Sequence, residues 1–206
     1  MNRHLPIHWG LVIATLLSLA LIVVLRKQQP SFDEKTAPMQ VNGAIDQQVK
    51  ARNFSVKVKK VKLAHAYLID GRSSDEPGRE VHADGIWVSA LADVEALQAN
   101  GFISAQLRTR DGRVYRAASN ERPRLKDFNL NETYLVAGLP ASGAYFFDVP
   151  LKGLEGATLQ FYSGALAPPQ LDHLVDIDVG LDAKKVKALL AEASPMLDLR
   201  TPGPSK

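Results

Sequence analysis

The longest apolar stretch of the chain lies close to its beginning. Residues 9–25 read WGLVIATLLSLALIVVL without a charge, between His8 and Arg26. Because a backbone in lipid must satisfy its amides internally, such a stretch forms a helix. Seventeen residues at ~1.5 Å each span roughly 26 Å, and residues 5–7 together with a snorkelling Arg26 extend this to the width of a bilayer. The pattern predicts a transmembrane segment over residues 9–27.

Such a segment can be an anchor or a cleaved signal peptide. A cleavable signal has small residues at a site after its apolar part. Here that part ends in Val23-Val24-Leu25-Arg26-Lys27, without an A-x-A pattern, which favours an uncleaved signal anchor.

The orientation follows from two opposing features. The positive charges on the two sides slightly favour a cytoplasmic C-terminus. Residues 1–8, however, are short and similar to the n-region of a signal peptide. We therefore predict a single-pass protein of the cell membrane with its C-terminal domain outside the cytoplasm.

Residues 28–50 show no sustained apolar period. They are rich in polar residues and include Pro30, Pro38 and Gly43. This composition is typical of a loop. It predicts a flexible linker that holds the following domain away from the bilayer.

From residue 51 onward, apolar and polar residues alternate. Phe54, Val56 and Val58 lie on one face, and the parity reverses at Lys59-Lys60. A reversal turns every following side chain over, so the strand must bulge or change sheets there. Residues 85–97 also alternate. Their second half, rich in alanine and leucine, is compatible with a helix, but we expect a strand through Val94.

A hairpin is predicted over residues 102–118. Asp111-Gly112 is a strong signal for a two-residue turn. Centring the hairpin on it pairs Arg110 with Arg113, Thr109 with Val114 and Leu107 with Arg116.

This register creates a basic outward face. Like charges directly opposite each other destabilise a sheet, which suggests a compensating anion. The candidate docking patch for an acidic partner protein, an anionic lipid or an anionic envelope polymer consists of Arg108, Arg110, Arg113 and Tyr115. The alternative is a solvated face that nearby acids neutralise.

Further alternating segments at residues 134–136, 144–149, 157–163 and 174–181 bring the total to seven or eight short strands. Their spacing is typical of an all-β sandwich, which we expect over residues 51–182. Asp182 then caps a short helix, so residues 183–206 form a C-terminal helix and tail.

Composition limits the chemistry that the chain can perform. The 206 residues include no cysteine, which excludes disulfides and cysteine-based metal sites. A net charge of +3 is too small to indicate nucleic-acid binding. Phosphate loops, dinucleotide fingerprints and nucleophile elbows are absent, and the histidines after the anchor are isolated. We expect no catalytic residues, no cofactor and no enzymatic activity.

Four aspartates lie within the eleven residues 172–182. Asp176 and Asp178 are two positions apart on one predicted strand and so point to the same face. A hard cation such as Ca²⁺ needs several converging oxygens, and the spacing lacks the glycine and glutamate of an EF-hand loop. Asp176 and Asp178 are a candidate cation site, and a solvated outer face is the simpler interpretation.

Several phrases of the chain carry a resemblance. After an anchor and a polar linker, the domain opens with RNFSVKVKKV and continues with WVSALADVEA, AQLRTRDGRVYRA and YFFDVPLKGLEGATLQF. Over roughly residues 51–182 this resembles bacterial, actinobacterial-type, membrane-anchored extracytoplasmic immunoglobulin-like domains of unknown function. The resemblance implies an immunoglobulin-like sandwich outside the cytoplasmic membrane, with no functional residues to carry over.

We therefore predict a membrane-anchored interaction module that binds another envelope or membrane protein. The alternative is an accessory subunit of a larger membrane complex, such as a transporter, secretion or respiratory assembly, held partly through its transmembrane helix. Ala14, Ser18 and Ala20 would permit close helix packing in that case. An enzyme or ligand carrier is the third hypothesis, for which we find no motif.

Overall fold

The apolar stretch near the N-terminus forms helix α1, Trp9–Gln28. None of its residues is buried. By length and composition α1 could cross a membrane, as an anchor or as a signal peptide. The structure, a computed structural model, describes residues 9–29, 35–71, 77–117, 128–164, 168 and 171–200. It divides into two units, Met1–Ala37 and Pro38–Lys206.

The second unit is a β-sandwich, which confirms the predicted fold class. Within the described residues its strands are β1 Met39–Ala44, β2 Gln48–Lys50, β3 Phe54–Ile69, β4 Arg79–Ala96, β5 Ile103–Arg108, β6 Val114–Arg116, β7 Pro140–Val149, β8 Thr158–Ser163, β9 His173–Asp178 and β10 Leu197–Asp198. One sheet has the order β1-β9-β8-β5-β6 and the other the order β10-β3-β4-β7, with β2 also paired to β3. Short 3-10 helices cover Leu130–Glu132 and Leu151–Gly153, and helix α2 covers Ala183–Ala191.

The structure moves the end of the predicted linker, residues 28–50, to residue 38. Strand β1 pairs in parallel with β9, from Met39 opposite His173 onward. Strand β2 pairs with β3 in antiparallel fashion. The sequence conceals β1 because an edge strand that is mostly exposed shows no apolar alternation, and only Val41 and Gly43 are half-buried in it.

Strands β3 and β4 form a long antiparallel pair. The register shifts between Val58 and Lys60, so the predicted parity break is a bulge and β3 stays in one sheet. A second shift, between Ala64 and Ala66, follows. Strand β4 continues to Ala96, so the second half of residues 85–97 is a strand and not a helix.

The predicted register of the β5–β6 hairpin is wrong by one residue. Arg108 lies opposite Val114, and residues 110–112 form a three-residue loop in which the Thr109 carbonyl accepts from the Gly112 amide at 2.9 Å. The Arg113 carbonyl accepts a hydrogen bond from the Thr109 amide at 2.9 Å. Gly112 has a φ of +85°. A glycine in the left-handed region closes a three-residue loop with a bulge, and this geometry replaces the two-residue turn.

The core lies between the two sheets. Val58, Val88 and Phe147 from one sheet meet Phe161 and Val175 from the other, and all five are almost completely buried. The buried hydroxyl of Tyr145 donates to the Ile103 carbonyl at 2.8 Å, which joins the two sheets. Helix α2 packs Val186, Leu189 and Leu190 against this core. Asp182 caps it as predicted and accepts from the Lys185 amide at 2.7 Å.

A second apolar cluster covers the outer face of the sheet that contains β4. The centroid of the Tyr67 ring lies 5.4 Å from the ring centroids of both Trp87 and Phe146. The Trp87 indole donates to the Val81 carbonyl at 3.1 Å. Burial raises the pKa of Tyr67, although its hydrogen bond with Ser89 opposes this. Both faces of this sheet are therefore apolar near its centre.

Candidate interaction surface at the tethered end

The chain enters the sandwich at Met39, and we call this end of the sandwich the tethered end. The Met39 amide donates to the Asp172 carbonyl at 2.8 Å. The Asp172 carboxylate accepts from the Asn53 side chain at 2.7 Å. The Asn53 carbonyl in turn accepts from the Leu97 amide at 2.8 Å. Three loops are thereby joined to the start of β1.

The loop that precedes β7 belongs to the same end. Gly101 and Leu135 exchange two backbone hydrogen bonds, at 3.0 and 2.8 Å. The Ala137 amide donates to the Asn100 side chain at 2.8 Å, and the Gly138 amide donates to Ala96 at the same distance. Residues 134–136, predicted as a strand, therefore form only an isolated bridge.

Exposed apolar side chains surround these loops. Tyr134 and Leu139 are 59% and 61% exposed, and Val136 is 46% exposed. Residues 96–107 and 133–147 contain no charged residue. We call the following exposed set the apolar rim: Met39, Tyr134, Val136, Leu139 and Leu171. Because these residues are exposed on one end of the sandwich, we take them as the candidate interaction surface.

The rim has a rigid support. The ring of Phe102 meets that of Tyr134 edge-on, with 5.4 Å between centroids. The Phe102 carbonyl accepts from the Gly164 amide at 2.9 Å. A surface held by hydrogen bonds between its loops is preorganised, which reduces the entropy that binding costs.

Asp172 connects several of these loops as a charged acceptor. Burial opposes its ionisation, but hydrogen bonds from the His173 amide, the His173 ring and Asn53 together lower the pKa of its carboxyl. A lowered pKa in the folded state means that ionised Asp172 stabilises the fold, and protonation removes this contribution.

We expect Asp172→Ala to lower the free energy of unfolding by about 1–3 kcal/mol at pH 7, because the Asn53 amide and the His173 amide lose their acceptor. The difference from wild type should shrink as the pH falls below about 4, through the lowered pKa of Asp172. Urea unfolding between pH 2 and 7 measures both effects. Glu132→Ala, at an exposed position, is the control, and an equal loss in both variants would contradict the role of Asp172.

The opposite end of the sandwich has a different chemistry. Its loops carry charged side chains, and Arg110 lies 3.7 Å from the Glu155 carboxylate. Arg113 lies 3.1 Å from the Asp111 carboxylate. The apolar rim and this charged end therefore offer two unlike surfaces.

The four residues of the predicted docking patch do not share one face. Arg108 is exposed on the outer side of β5, whereas Tyr115 lies opposite Leu107 and packs half-buried against the core. Arg110 and Arg113 lie on either side of the loop and pair with acids. The one-residue shift of the hairpin is the physical reason for this correction. A binding role for these four residues stays a prediction.

Asp176 and Asp178 lie on the outer side of β9, and each carboxylate serves the fold. Asp176 accepts from Gln160 at 2.7 Å, and Gln160 accepts from Gln106 at 2.8 Å. Asp178 accepts from the Gly180 amide at 2.7 Å. In the described part of the chain, no group of three or more His, Cys, Asp or Glu residues is arranged to hold a metal ion. The candidate cation site gains no third ligand there.

No sequence pattern predicts the apolar rim as a surface. Its residues come from three separate segments, at Met39, residues 134–139 and Leu171, and hydrogen bonds between the loops join these segments. The one available signal is the absence of charge from residues 96–107 and 133–147. That signal is equally typical of buried strands.

No protein-family model matches this chain, and no curated protein matches it. Solved structures that are similar to this chain include the following three. An uncharacterized β-sandwich protein from Clostridium difficile 630 has 9% identity and a TM-score of 0.42, over 72% of this chain and 99% of that one. The yjhA protein from Bacillus subtilis has 19% identity and a TM-score of 0.45, over 66% and 99%. The secreted protein MPT63 from Mycobacterium tuberculosis has 17% identity and a TM-score of 0.43, over 67% and 98%.

Proposed function

We propose that this protein is a single-pass, membrane-anchored interaction module. Its sandwich lies outside the cytoplasm and binds another envelope or membrane protein, without catalysis. The observation that supports this most is the position of the apolar rim, at the end where the chain from α1 enters the sandwich.

The length of the tether limits where the rim can act. Residues 29–38 join α1 to the sandwich, and ten residues span at most about 34 Å when fully extended. The chain therefore enters the sandwich no farther than this length from the end of α1. A partner that meets the rim is most readily a protein with a membrane-proximal surface.

The chemistry of the rim fits a protein partner. Tyrosine and methionine, both present in the rim, are enriched in protein–protein interfaces. The exposed Lys50 and Arg52 lie on the same end, at the turn before β3, and can form the polar edge of such a contact. Insertion into lipid is the competing use of an apolar rim, and it gives a different experimental result.

We expect the triple variant Tyr134→Ser, Val136→Ser, Leu139→Ser to lose a partner protein that co-purifies with the wild-type chain from membranes solubilised in mild detergent. The matched control carries Val114→Ser and Leu151→Ser, two exposed apolar positions outside the rim. It should retain the partner, since these side chains are 47% and 49% exposed but lie elsewhere. Quantitative mass spectrometry of the eluates measures the difference.

Two outcomes would contradict this proposal. In the first, the triple variant retains the partner, but deletion of residues 1–28 abolishes co-purification. This result would place the contact in α1, as in an accessory subunit of a larger complex. In the second, the wild-type sequence without α1 floats with vesicles of anionic lipid, and the triple variant does not. This result would mean that the rim inserts into the bilayer. Unfolding curves of all variants verify that the sandwich is intact.

A further inference from the structure

The edge of β3 that faces away from β4 is covered in two separate pieces. Strand β2 pairs with β3 as far as Lys57, and the Asp46 amide donates to the Val58 carbonyl at 2.7 Å. Farther along this edge, the Ser194 amide donates to the Leu63 carbonyl at 3.2 Å, and β10 pairs with the residues of β3 that follow. Between Val58 and Leu63, no strand of the described residues pairs with this side of β3.

The backbone of Val61 faces this gap. In an antiparallel pair, successive residues direct their N–H and C=O groups alternately towards the two sides. Leu63 directs its carbonyl away from β4, since Ser194 donates to it. Val61 lies two residues earlier, after the bulge, and therefore directs both of its groups the same way. An added strand can bond to both, which is the contact that β-strand addition uses.

The gap opens into a groove of about 240 Å³ between β3 and the segment that follows α2. Apolar side chains alternate with charged ones around it. The lining residues are Val61, Leu63, Leu189, Leu197, Lys60, Lys62, Glu192 and Ser194. The five residue steps from Val58 to Leu63 correspond to ~17 Å of strand, enough for a short extended segment.

The charges next to the gap select the kind of segment. Lys57 and Lys59 form ion pairs, with Asp46 at 2.9 Å and Asp93 at 2.6 Å. Lys60 and Lys62 are exposed, and in the described part of the chain neither forms an ion pair. Glu192 also lines the groove, so two lysines oppose one carboxylate there and the charge beside the gap is positive.

An added strand would place its outward side chains beside these two lysines, at about 5 Å between Cβ atoms. Opposite charges at such positions stabilise a strand pair. The side chain between them would point inward, towards Leu189. The complementary sequence is therefore acidic, apolar, acidic.

We propose that this gap binds an extended acidic segment of a partner protein, which adds to β3 as a strand and bonds to the backbone of Val61. The surface is separate from the apolar rim, and the proposal does not depend on the function assigned to the rim.

The probe is a fluorescein-labelled peptide Glu-Val-Glu-Val-Glu, titrated into the full chain in detergent micelles and followed by fluorescence anisotropy. We expect saturable binding that Lys60→Glu with Lys62→Glu weakens about tenfold or more, since each reversal replaces an attraction by a repulsion. Lys152→Glu with Lys184→Glu changes the net charge equally and should leave the affinity unchanged, because both lysines are exposed and neither lines the groove. The peptide Lys-Val-Lys-Val-Lys should not bind to the wild type.

Amide exchange distinguishes strand addition from attraction between charges. The Val61 amide should exchange more slowly in the presence of the acidic peptide, as measured by NMR, because it gains an acceptor. Three results would overturn the proposal. They are unchanged amide exchange at Val61, equal weakening of peptide binding by both lysine double variants, and no binding of the acidic peptide at millimolar concentration. Absent binding would mean that the lysines protect the edge against pairing.

Discussion

After deletion of residues 2–28, we expect the protein to leave the membrane fraction completely, whereas the full chain remains there after extraction with alkaline carbonate. Helix α1 contains 20 residues, and its large apolar side chains are all exposed. Burial of such a helix in lipid is effectively irreversible, which no peripheral contact matches. Immunoblots of the soluble and membrane fractions measure the change.

The sandwich itself should survive this deletion. Its buried core residues run from Val49 to Leu181, so none of them is removed. The unfolding midpoint of the truncated chain is the control for intact folding. A full chain that is soluble, or a mature protein whose mass shows cleavage after the apolar stretch, would contradict the anchor.

The largest loss of stability is expected from Trp87→Ala. The side chain is 1% exposed, contacts the ring of Tyr67 and donates to the Val81 carbonyl. Its removal leaves a large cavity on the outer face of the sheet, so the free energy of unfolding should fall by about 3–5 kcal/mol. For a domain whose total stability is about 5–15 kcal/mol, this is a large fraction.

Urea unfolding of the truncated chain measures this loss. Tyr134→Ala is the matched control, because it also removes an aromatic ring but from a position that is 59% exposed. The control should change the free energy of unfolding by about 0.5 kcal/mol or less. A loss below about 1 kcal/mol for Trp87→Ala would mean that the outer cluster adds little to the fold.

The alternation of side chains predicts the central strands because each of them buries one face. Val88, Ala90, Ala92 and Val94 are all buried in the core, as the period of two indicates. For the same reason the parity break at Lys59-Lys60 predicts a bulge or a change of sheets, and the structure shows the bulge, which keeps Val61 inside.

The sequence is less informative where burial is incomplete or depends on distant partners. Strand β1 is mostly exposed, and its pairing with β9 depends on residues more than a hundred positions away. Gly112 adopts a left-handed conformation, which occurs both in two-residue turns and in three-residue loops. The Asp111-Gly112 sequence therefore does not decide the hairpin register. The outer cluster needs Tyr67, Trp87 and Phe146 to come together from three strands.

The apolar rim illustrates the same limit for function. Tyr134 and Val136 alternate as residues of a strand would, but hydrogen bonds to Gly101 and Asn100 hold them in a loop, with their side chains exposed. A surface built from separate loops becomes visible only when the fold places them side by side.

The most direct measurement is photo-crosslinking in intact cells, with a photoreactive amino acid at Leu139 in the rim or at Leu151 between β7 and β8. Both positions are exposed, at 61% and 49%. Leu139 is on a loop, and Leu151 begins the short 3-10 helix Leu151–Gly153. We expect a discrete protein adduct from position 139 in the membrane fraction and none from position 151. Three results would contradict a protein-binding rim. They are equal adducts from both positions, an adduct from position 151 alone, and adducts of position 139 with lipid alone.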